Sequence, residues 1–390
     1  MSVDALRGFD MFWIVGAEEI IAALSEMSNS KPVGILADQI EHAEWEGFHF
    51  EDLIFPLFVF LMGVSAVFSL TKIMHQEGRS KAVKRVIRRG VILFAAGLFY
   101  YGGFSKTWPD MRLMGVLNRI ALCYLFGGLI FCFFKPRAML VIAAAFLLGY
   151  WALLAWVPFP DVRPVPGGTQ VITKDNYPKV EQLNMASTNM IHGSYVQGVT
   201  LTQYLDQKYL PGMKWDGTYD PEGLLSTIPA VATCLLGMFA GLILKYASVT
   251  DAKKVIYLIS FGAGAVLLGL LWGTQFPVIK KIWTSSYVLV AGGYSAILLG
   301  VFYWVVDIMK FQWWCQPFVW MGMNSITIYL INGIVTSFPK LASRFAGGAI
   351  QNFFNRQYQG LGDLVVALVA VIITFGFLHF LYRRKIFLRF

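Results

Sequence analysis

The stretch Glu41–Asp52, with the sequence EHAEWEGFHFED, contains a dense group of residues suited to acid–base chemistry. Two histidines and five carboxylates lie within twelve residues, directly before an apolar segment that begins LIFP. Ionisable groups at the boundary between water and hydrocarbon have environments that readily shift proton affinity, which catalysis requires and packing usually avoids. An imidazole there serves either as a general base or as a nucleophile. These residues by themselves leave two interpretations of His42 open, a catalytic residue and a solvent-facing loop histidine.

The composition indicates a membrane protein. Hydrophobic residues make up 57% of the 390 residues and charged residues 14%, with a mean hydropathy of +0.59. That leaves too little polar surface to cover a soluble globule. Ten apolar windows approach the roughly 20 residues needed to cross a hydrocarbon core. They cover residues 5–24, 52–71, 87–103, 113–134, 138–157, 223–246, 254–272, 284–307, 315–337 and 361–382. The fold class predicted is an all-α polytopic membrane helix bundle of about ten transmembrane helices.

Positive charge is concentrated between the second and third windows, which predicts the orientation of the chain. The basic residues there are Lys72, Arg79, Lys81, Lys84, Arg85, Arg88 and Arg89. By the positive-inside rule this segment is cytoplasmic, so alternating spans place both termini in the cytoplasm and His42 outside it. Anionic membrane lipid is the expected partner of such basic residues, so the net charge of +9 does not indicate nucleic acid. The four cysteines lie in or beside apolar windows without metal-ligand spacing, which predicts no metal site.

We expect a single domain over residues 1–390, because most connections are short and no Ser/Gly-rich linker separates the windows. The first window lacks the uninterrupted apolar core of a cleavable signal peptide and should remain as the first helix. One connection is long, from residue 158 to residue 222. It opens with four prolines and continues through turn-forming residues, which predicts an ordered extracytoplasmic cap.

Several motifs occur in a fixed order along the chain. They are SVDALRG at 2–8, HAEWEG at 42–47, DLIFPLFVFLMG at 52–63, GVLNRIALCY at 115–124, DPEGLLSTIP at 220–229 and WTSS at 283–286. Through them the chain resembles the transmembrane acyltransferase family typified by heparan-α-glucosaminide N-acetyltransferase, including bacterial NagX-like proteins. The resemblance covers nearly the whole chain.

The resemblance implies transfer of acetyl from cytosolic acetyl-CoA, the acyl donor, to the amine or hydroxyl of an extracytoplasmic amino sugar, oligosaccharide or other glycan. It implies a bacterial inner-membrane protein without a metal cofactor, and leaves open whether the chain forms a homodimer. His42 matches the family's active histidine, so the resemblance leads us to expect that His42 is catalytic. The family's catalytic asparagine, eleven residues after the arginine that matches Arg7, is replaced here by Glu18. A carboxylate cannot donate an amide hydrogen bond, so we expect Glu18 to orient His42 or to bind a cationic acceptor.

Other residues near His42 are candidates for the same site. Asp52 would hold the imidazole in one tautomer, although an acidic residue also suits the start of the following helix. Trp45 would stack on a sugar ring, and Glu44 and Glu222 would contact the acceptor.

Two further groups are candidates for binding the acyl donor. Arg85, Arg88 and Arg89 are spaced i, i+3 and i+4, so one helical stripe would bind the coenzyme A phosphates; a purely topological anchor explains them equally well. Asn118 and Arg119 interrupt an apolar window. They predict an inward-facing polar cluster that stabilises the oxyanion, against the alternative of snorkelling to the interface.

Two other functions remain open from the sequence. A proton-coupled transporter for sugars or organic acids would use the membrane carboxylates as coupling sites. The second alternative is a non-catalytic scaffold that holds a cell-envelope glycan enzyme.

Overall fold

The computed structural model describes residues 1–28, 30–163, 183–335 and 337–387, and the regular secondary structure in them is almost entirely helical. The helices of the first half are α1 Ser2–Phe12, α2 Glu18–Met27, α3 Lys31–Ile40, α4 Glu51–Gln76, α5 Arg79–Tyr100, α6 Val116–Phe133 and α7 Pro136–Trp156. Those of the second half are α8 Leu201–Tyr209, α9 Thr227–Lys245, α10 Asp251–Gly273, α11 Ser285–Phe302, α12 Gln316–Met323, α13 Ser325–Leu330, α14 Phe338–Ala346, α15 Ala349–Gln357 and α16 Leu361–Arg383. Short π-helical turns at Trp13–Ala17, Tyr303–Ile308 and Ile331–Val335 follow α1, α11 and α13.

The predicted all-α polytopic architecture is confirmed. Within the described residues, seven helices are long and apolar enough to cross a membrane: α4, α6, α7, α9, α10, α11 with its π turn, and α16. The pair α12 and α13 also passes this test, but it bends by 72° at Asn324 and so forms either one broken span or a re-entrant loop. Eight of the ten predicted windows therefore fall on such elements.

The other two predicted windows, 5–24 and 87–103, are helical but more highly charged. The first corresponds to α1 and α2, which carry Asp4, Arg7, Asp10, Glu18 and Glu19. The second corresponds to α5, whose first half is basic. Both elements pack within the bundle, α1 against α12 and α5 against α6. Their charge is the reason that length and apolarity identify seven or eight spans rather than ten.

Helix α4 lies at the centre of the bundle and packs against α9, α11, α6 and α1. Two glycines allow its backbone to approach that of α9. A Cβ atom at Gly237 would lie 1.9 Å from the carbonyl oxygen of Phe60, and one at Gly63 would lie 2.2 Å from that of Cys234. Small residues are the usual means of close helix packing in membranes. This packing holds the first turn of α4, and therefore Asp52, in a defined position.

The two ends of the bundle differ in chemistry. We call the end with α3, the 41–50 loop and the 183–226 segment the cap end, and the end where α4 meets α5 the basic end. In the cap, β1 Phe159–Pro160 pairs antiparallel with β2 Met190–Ile191, and the N-cap Thr200 hydroxyl accepts the Gln203 amide of α8 at 3.2 Å. Residues 164–182 of the predicted cap lie outside the described residues.

Candidate active site

A cavity of about 580 Å³ opens at the cap end. The first turn of α4, the 41–50 loop, the 112–120 segment and the 215–222 and 280–283 loops surround it, together with α1 and α13. Its charged lining residues are His42, Glu44, Glu51, Asp52, Arg112, Asp216, Glu222, Lys280 and Lys281. Its apolar and aromatic lining includes Met11, Phe58, Ile120, Trp215, Trp283 and Tyr329. The cavity therefore combines a charged rim with an apolar interior.

His42 and Asp52 meet at this cavity, as the sequence predicts. The imidazole Nδ1 lies 3.1 Å from Asp52 Oδ1, and the Asp52 side chain is only 1% exposed. The other carboxylate oxygen, Oδ2, accepts the backbone N–H groups of Ala43 at 3.1 Å and His49 at 3.0 Å. Asp52 thus anchors the loop that carries His42. A carboxylate close to Nδ1 favours the proton on that nitrogen, which places the lone pair of a neutral ring on Nε2.

Lys280 is the residue that the sequence interpretation missed. Its Nζ lies 3.0 Å from His42 Nδ1, 3.3 Å from His42 Nε2 and 3.4 Å from Asp52 Oδ1. Burial lowers the pKa of the Lys280 ammonium, opposed by the charges of Asp52 and Glu51. A signal was present in the sequence: Lys280 and Lys281 stand on the side that the positive-inside rule leaves poor in lysine.

Arg112 organises the opposite wall of the cavity. Its Nε donates to Asp220 Oδ2 at 2.8 Å, while Nη2 donates to Asp220 Oδ1 at 2.7 Å and to Glu222 Oε2 at 2.6 Å. The rings of Tyr101 and Trp215 lie 4.6 and 4.8 Å from the guanidinium carbon. Burial lowers the pKa of Arg112, but hydrogen bonds to Asp220 and the charge of Glu222 outweigh it and raise the pKa. Glu222 is thereby held at the cavity wall.

The DPEG sequence at 220–223 resembles a capped helix start, with an acidic residue directly before a proline, but it does not begin a helix. Helix α9 begins at Thr227, after a series of turns. Asp220 instead pairs with Arg112, which is 108 residues away in the chain. A helix-start pattern depends only on neighbouring residues. The pairing of Asp220 with a buried arginine far away in the chain cannot be predicted from those neighbours.

Asp206, on α8, fixes the position of the 220–224 loop through hydrogen bonds. Its carboxylate accepts the backbone N–H groups of Asp220 at 3.3 Å and Leu224 at 3.0 Å. Burial raises the pKa of Asp206 from 3.8 to about 7. The folded protein therefore favours the protonated acid over part of the pH range in which the unfolded chain carries the ionised form.

We predict that thermal stability falls between about pH 4 and pH 7 in part because of Asp206. Above pH 3.8 the unfolded state gains stability from ionisation, while the folded state does not until its own pKa is passed. The melting temperature in detergent should therefore decrease less from pH 5 to pH 8 in Asp206→Asn than in the wild type. An equal decrease in both proteins would show that Asp206 does not titrate in this way.

Asn118 and Arg119 lie inside the bundle, but neither is among the described residues that line the cavity. Asn118 Nδ2 donates to the Phe94 carbonyl at 3.0 Å. Arg119 Nη2 donates to the Gly223 carbonyl at 3.3 Å and to the Ser226 hydroxyl. The Arg119 guanidinium also lies 4.8 Å from the Trp283 ring centre. These contacts brace α6 against α5 and against the turns before α9, so the two residues face inward rather than snorkelling.

The remaining predicted residues at the cap end divide into two groups. Glu44 and Glu222 line the cavity. Trp45 does not appear among the described lining residues; its Nε1 donates to the Tyr195 carbonyl at 2.7 Å and joins the 41–50 loop to the cap. Glu18 is exposed at the start of α2 and is also outside the described cavity lining.

A second cavity, of about 320 Å³, lies at the basic end. Its lining consists of Ile73, Glu77, Lys81, Lys84, Arg85 and Arg88. Arg89, the third member of the predicted stripe, is not among them; its guanidinium lies 4.7 Å from the Tyr124 ring centre. A helix rotates by about 100° per residue, so the side chains of Arg88 and Arg89 are displaced from that of Arg85 in opposite directions around the helix axis. Lys81 and Lys84 are displaced in the same direction as Arg88. The cavity therefore joins two of the three arginines with two lysines.

Known proteins support the resemblance seen in the motifs. Residues 1–175 match the family model described as heparan-alpha-glucosaminide N-acetyltransferase, catalytic. Heparan-alpha-glucosaminide N-acetyltransferase of Homo sapiens is 28% identical over 384 residues, which cover 89% of this chain and 55% of that protein. The Mus musculus protein of the same name is 27% identical over 389 residues, covering 89% and 56%.

The chain spans about half the length of the curated relatives it matches. The family-model match includes the His42 segment, because it covers residues 1–175. Among the described residues, no group of three or more His, Cys, Asp or Glu side chains is placed to hold a metal ion. Over most of its length, this chain resembles the transmembrane acyltransferases of the heparan-α-glucosaminide N-acetyltransferase family.

Proposed function

We propose that this integral membrane protein transfers acetyl from acetyl-CoA, bound at the basic end, to an amino sugar or glycan at the cap end. The observation that carries the proposal is the His42–Asp52 pair on the wall of the 580 Å³ cavity. The pairing of a histidine with a buried carboxylate is the usual arrangement of a general base or an activated nucleophile. The similarity to N-acetyltransferases supplies the reaction class.

The rim of the cavity suits an acceptor that carries an amine. Glu44, Glu51 and Glu222 provide carboxylates that attract an ammonium group, and the exposed Trp215 provides an aromatic surface for a sugar ring. The ammonium must lose a proton before attack, and His42 Nε2 is the acceptor for it. The new bond forms between the acceptor nitrogen and the acetyl carbon, the carbon–sulfur bond breaks, and the coenzyme A thiolate leaves and is protonated. An acetyl-imidazole intermediate at Nε2 would use the same cavity, and a hydroxyl acceptor would require the same base.

The donor is proposed to extend between the two cavities. Asp52 and Ile73, which line the two cavities, are 21 residues apart on α4, or about 32 Å at 1.5 Å per residue. The pantetheine arm is shorter than this span, so Arg85 and Arg88 would bind the 3′-phosphate at the far end of the donor, and the rest of the molecule would extend into the bundle. Buried polar atoms without a hydrogen-bond partner among the described residues occur on the intervening helices, including Asp10 Oδ1 and Tyr124 Oη. Such atoms are available to the amides of the arm.

The proposal requires the basic end and both termini to be cytoplasmic, with the cap outside. We predict that a cysteine at Thr188 reacts with a membrane-impermeant thiol reagent on intact cells and that a cysteine at Ser80 does not. Both positions are exposed, and the four native cysteines are buried. Permeabilised cells provide the control, since both cysteines should then react. Labelling of Ser80→Cys but not Thr188→Cys on intact cells would reverse the orientation.

Acetyl transfer is tested directly with purified protein in liposomes. Labelled acetyl-CoA is added outside liposomes in which the basic end of the protein faces outwards, and amino-sugar acceptors are enclosed inside them. Mass spectrometry then identifies acetylated products in the lumen. We expect labelled product only in vesicles that contain the protein. Proton-coupled uptake of a sugar or acid without any acetylated product would favour the transporter instead.

A further inference from the structure

We infer that Lys280 is a positioning residue that keeps His42 unprotonated, by supplying the positive charge that the buried Asp52 carboxylate requires. The inference rests on the proposed function only for the assignment of His42 as base. Lys280 lies 238 positions from His42 in the chain, so the contact exists only in the folded protein.

The charge balance around Asp52 leads to this assignment. Its side chain is 1% exposed, and a buried carboxylate that remains ionised needs a positive partner. Two groups lie within ion-pair distance of Asp52 Oδ1 in the described residues: His42 Nδ1 at 3.1 Å and Lys280 Nζ at 3.4 Å. If Lys280 carries the charge, the imidazole is free to stay neutral. If Lys280 is absent, the imidazolium is the remaining partner.

The positions of the ring nitrogens agree with a neutral imidazole. Lys280 Nζ lies 3.0 Å from Nδ1 and 3.3 Å from Nε2, within hydrogen-bond distance of both ring nitrogens, and a neutral ring has a lone pair on one of them that can accept from an ammonium. An imidazolium would instead place two cations in contact, which Coulomb repulsion opposes. Lys280 therefore favours the neutral ring both through Asp52 and directly.

The other charged groups around the cavity do not replace Lys280 in this role. Lys281 donates to Asp216 at 3.0 Å, and Arg112 is bound to Asp220 and Glu222. The remaining groups that face the site are carboxylates: Glu51 beside Asp52 on α4, Glu44 on the His42 loop and Glu222 across the cavity. These acids add negative charge near the imidazole, which increases the need for a fixed cation.

Diethyl pyrocarbonate acylates an imidazole only when the ring is unprotonated. Its rate of reaction with His42 therefore reports the unprotonated fraction of this residue, and the measurement does not depend on acetyl transfer. The full-length protein is treated at pH 7 and pH 9, and peptide mass spectrometry follows His42, with exposed His75 as the internal reference. In Lys280→Met we expect His42 to react about tenfold more slowly than in the wild type at pH 7, a factor equivalent to about 1.4 kcal/mol. At pH 9, where imidazoles are unprotonated, the rates should converge.

Three further variants separate charge from packing. Lys280→Arg should keep the wild-type rate at pH 7, because it preserves the cation. The double variant Asp52→Asn, Lys280→Met should recover most of the rate, because the carboxylate that needs a partner is also removed. Lys281→Met, a change of the same kind one residue away, should leave the pH dependence of the His42 reaction unchanged.

Equal His42 reactivity in Lys280→Met and the wild type at pH 7 would overturn the inference. A slow reaction that persists at pH 9 would also overturn it, since that result would indicate lost access rather than gained charge. Failure of the proposed function appears differently: the wild type would show the expected modification pattern but no acetylated product in the liposome assay.

Discussion

Replacement of His42 by alanine is expected to reduce acetyl transfer by about 10² to 10⁴-fold, the usual effect of removing a general base. A larger loss would indicate that His42 is a nucleophile, because then the covalent intermediate disappears as well. The side chain is about half exposed, at 53%, so its removal leaves no large void in the core. The measurement is the turnover of labelled acetyl-CoA by purified protein, together with its affinity for acetyl-CoA and its melting temperature.

His75→Ala is the matched control for this variant. His75 is an exposed histidine in the last turn of α4, the helix whose first turn carries Asp52, but it lies at the basic end. It should transfer acetyl at the wild-type rate. Wild-type turnover by a folded His42→Ala protein would remove His42 from the mechanism, whereas loss of activity together with loss of folding would point to a structural role for the 41–50 loop.

Changing Arg85 and Arg88 together to glutamate is expected to weaken acetyl-CoA binding far more than binding of dephospho-acetyl-CoA, which lacks the 3′-phosphate. Each lost charge-assisted hydrogen bond should cost about 1.5 to 3 kcal/mol, and the introduced carboxylates add repulsion. Both arginines line the 320 Å³ cavity with Lys81 and Lys84. Isothermal titration of the two ligands against folded, correctly oriented protein provides the comparison.

The double change Lys135→Glu and Arg137→Glu is the control for charge alone. It reverses two exposed basic residues at the start of α7, Lys135 at its N-cap and Arg137 in its first turn, both outside the described lining of the cavity. We expect this control to bind both ligands with wild-type affinity. If Arg85 and Arg88 serve only as topological anchors, their reversal will impair insertion or expression and leave the ratio of the two affinities unchanged.

The helices and their chemistry could largely be predicted because membrane spans are a local property. Eight of the ten apolar windows correspond to long apolar helices or to the bent pair α12 and α13. The exceptions, 5–24 and 87–103, are helical but carry charges such as Asp10 and Arg88 that a uniform apolarity test rejects. Asp10 is buried among neighbouring helices, where charge is tolerated better than against lipid, whereas Arg88 is exposed at the basic end, where the positive-inside rule concentrates arginine and lysine. The bend at Asn324 could not be predicted either, because no proline lies at the bend.

For the candidate site, motif similarity was a good guide to residues close together in sequence and a poor one for distant partners. His42 and Asp52 are ten residues apart, and the structure brings them together as expected. Trp45, in the same motif, instead binds the cap through the Tyr195 carbonyl. The three-arginine stripe divides between a cavity and Tyr124, because a helix rotates by about 100° per residue and neighbouring residues face different surroundings.

The amino-acid sequence by itself determined the membrane character, the basic end and the acidic segment that carries His42, because each depends on residue type and short-range spacing. Only the tertiary structure decided which charges neutralise one another. Lys280 reaches Asp52 across 228 positions and Arg112 reaches Asp220 across 108. Buried charges must find partners wherever the fold brings them, and that choice depends on how α4, the cap and the 280–283 loop pack together.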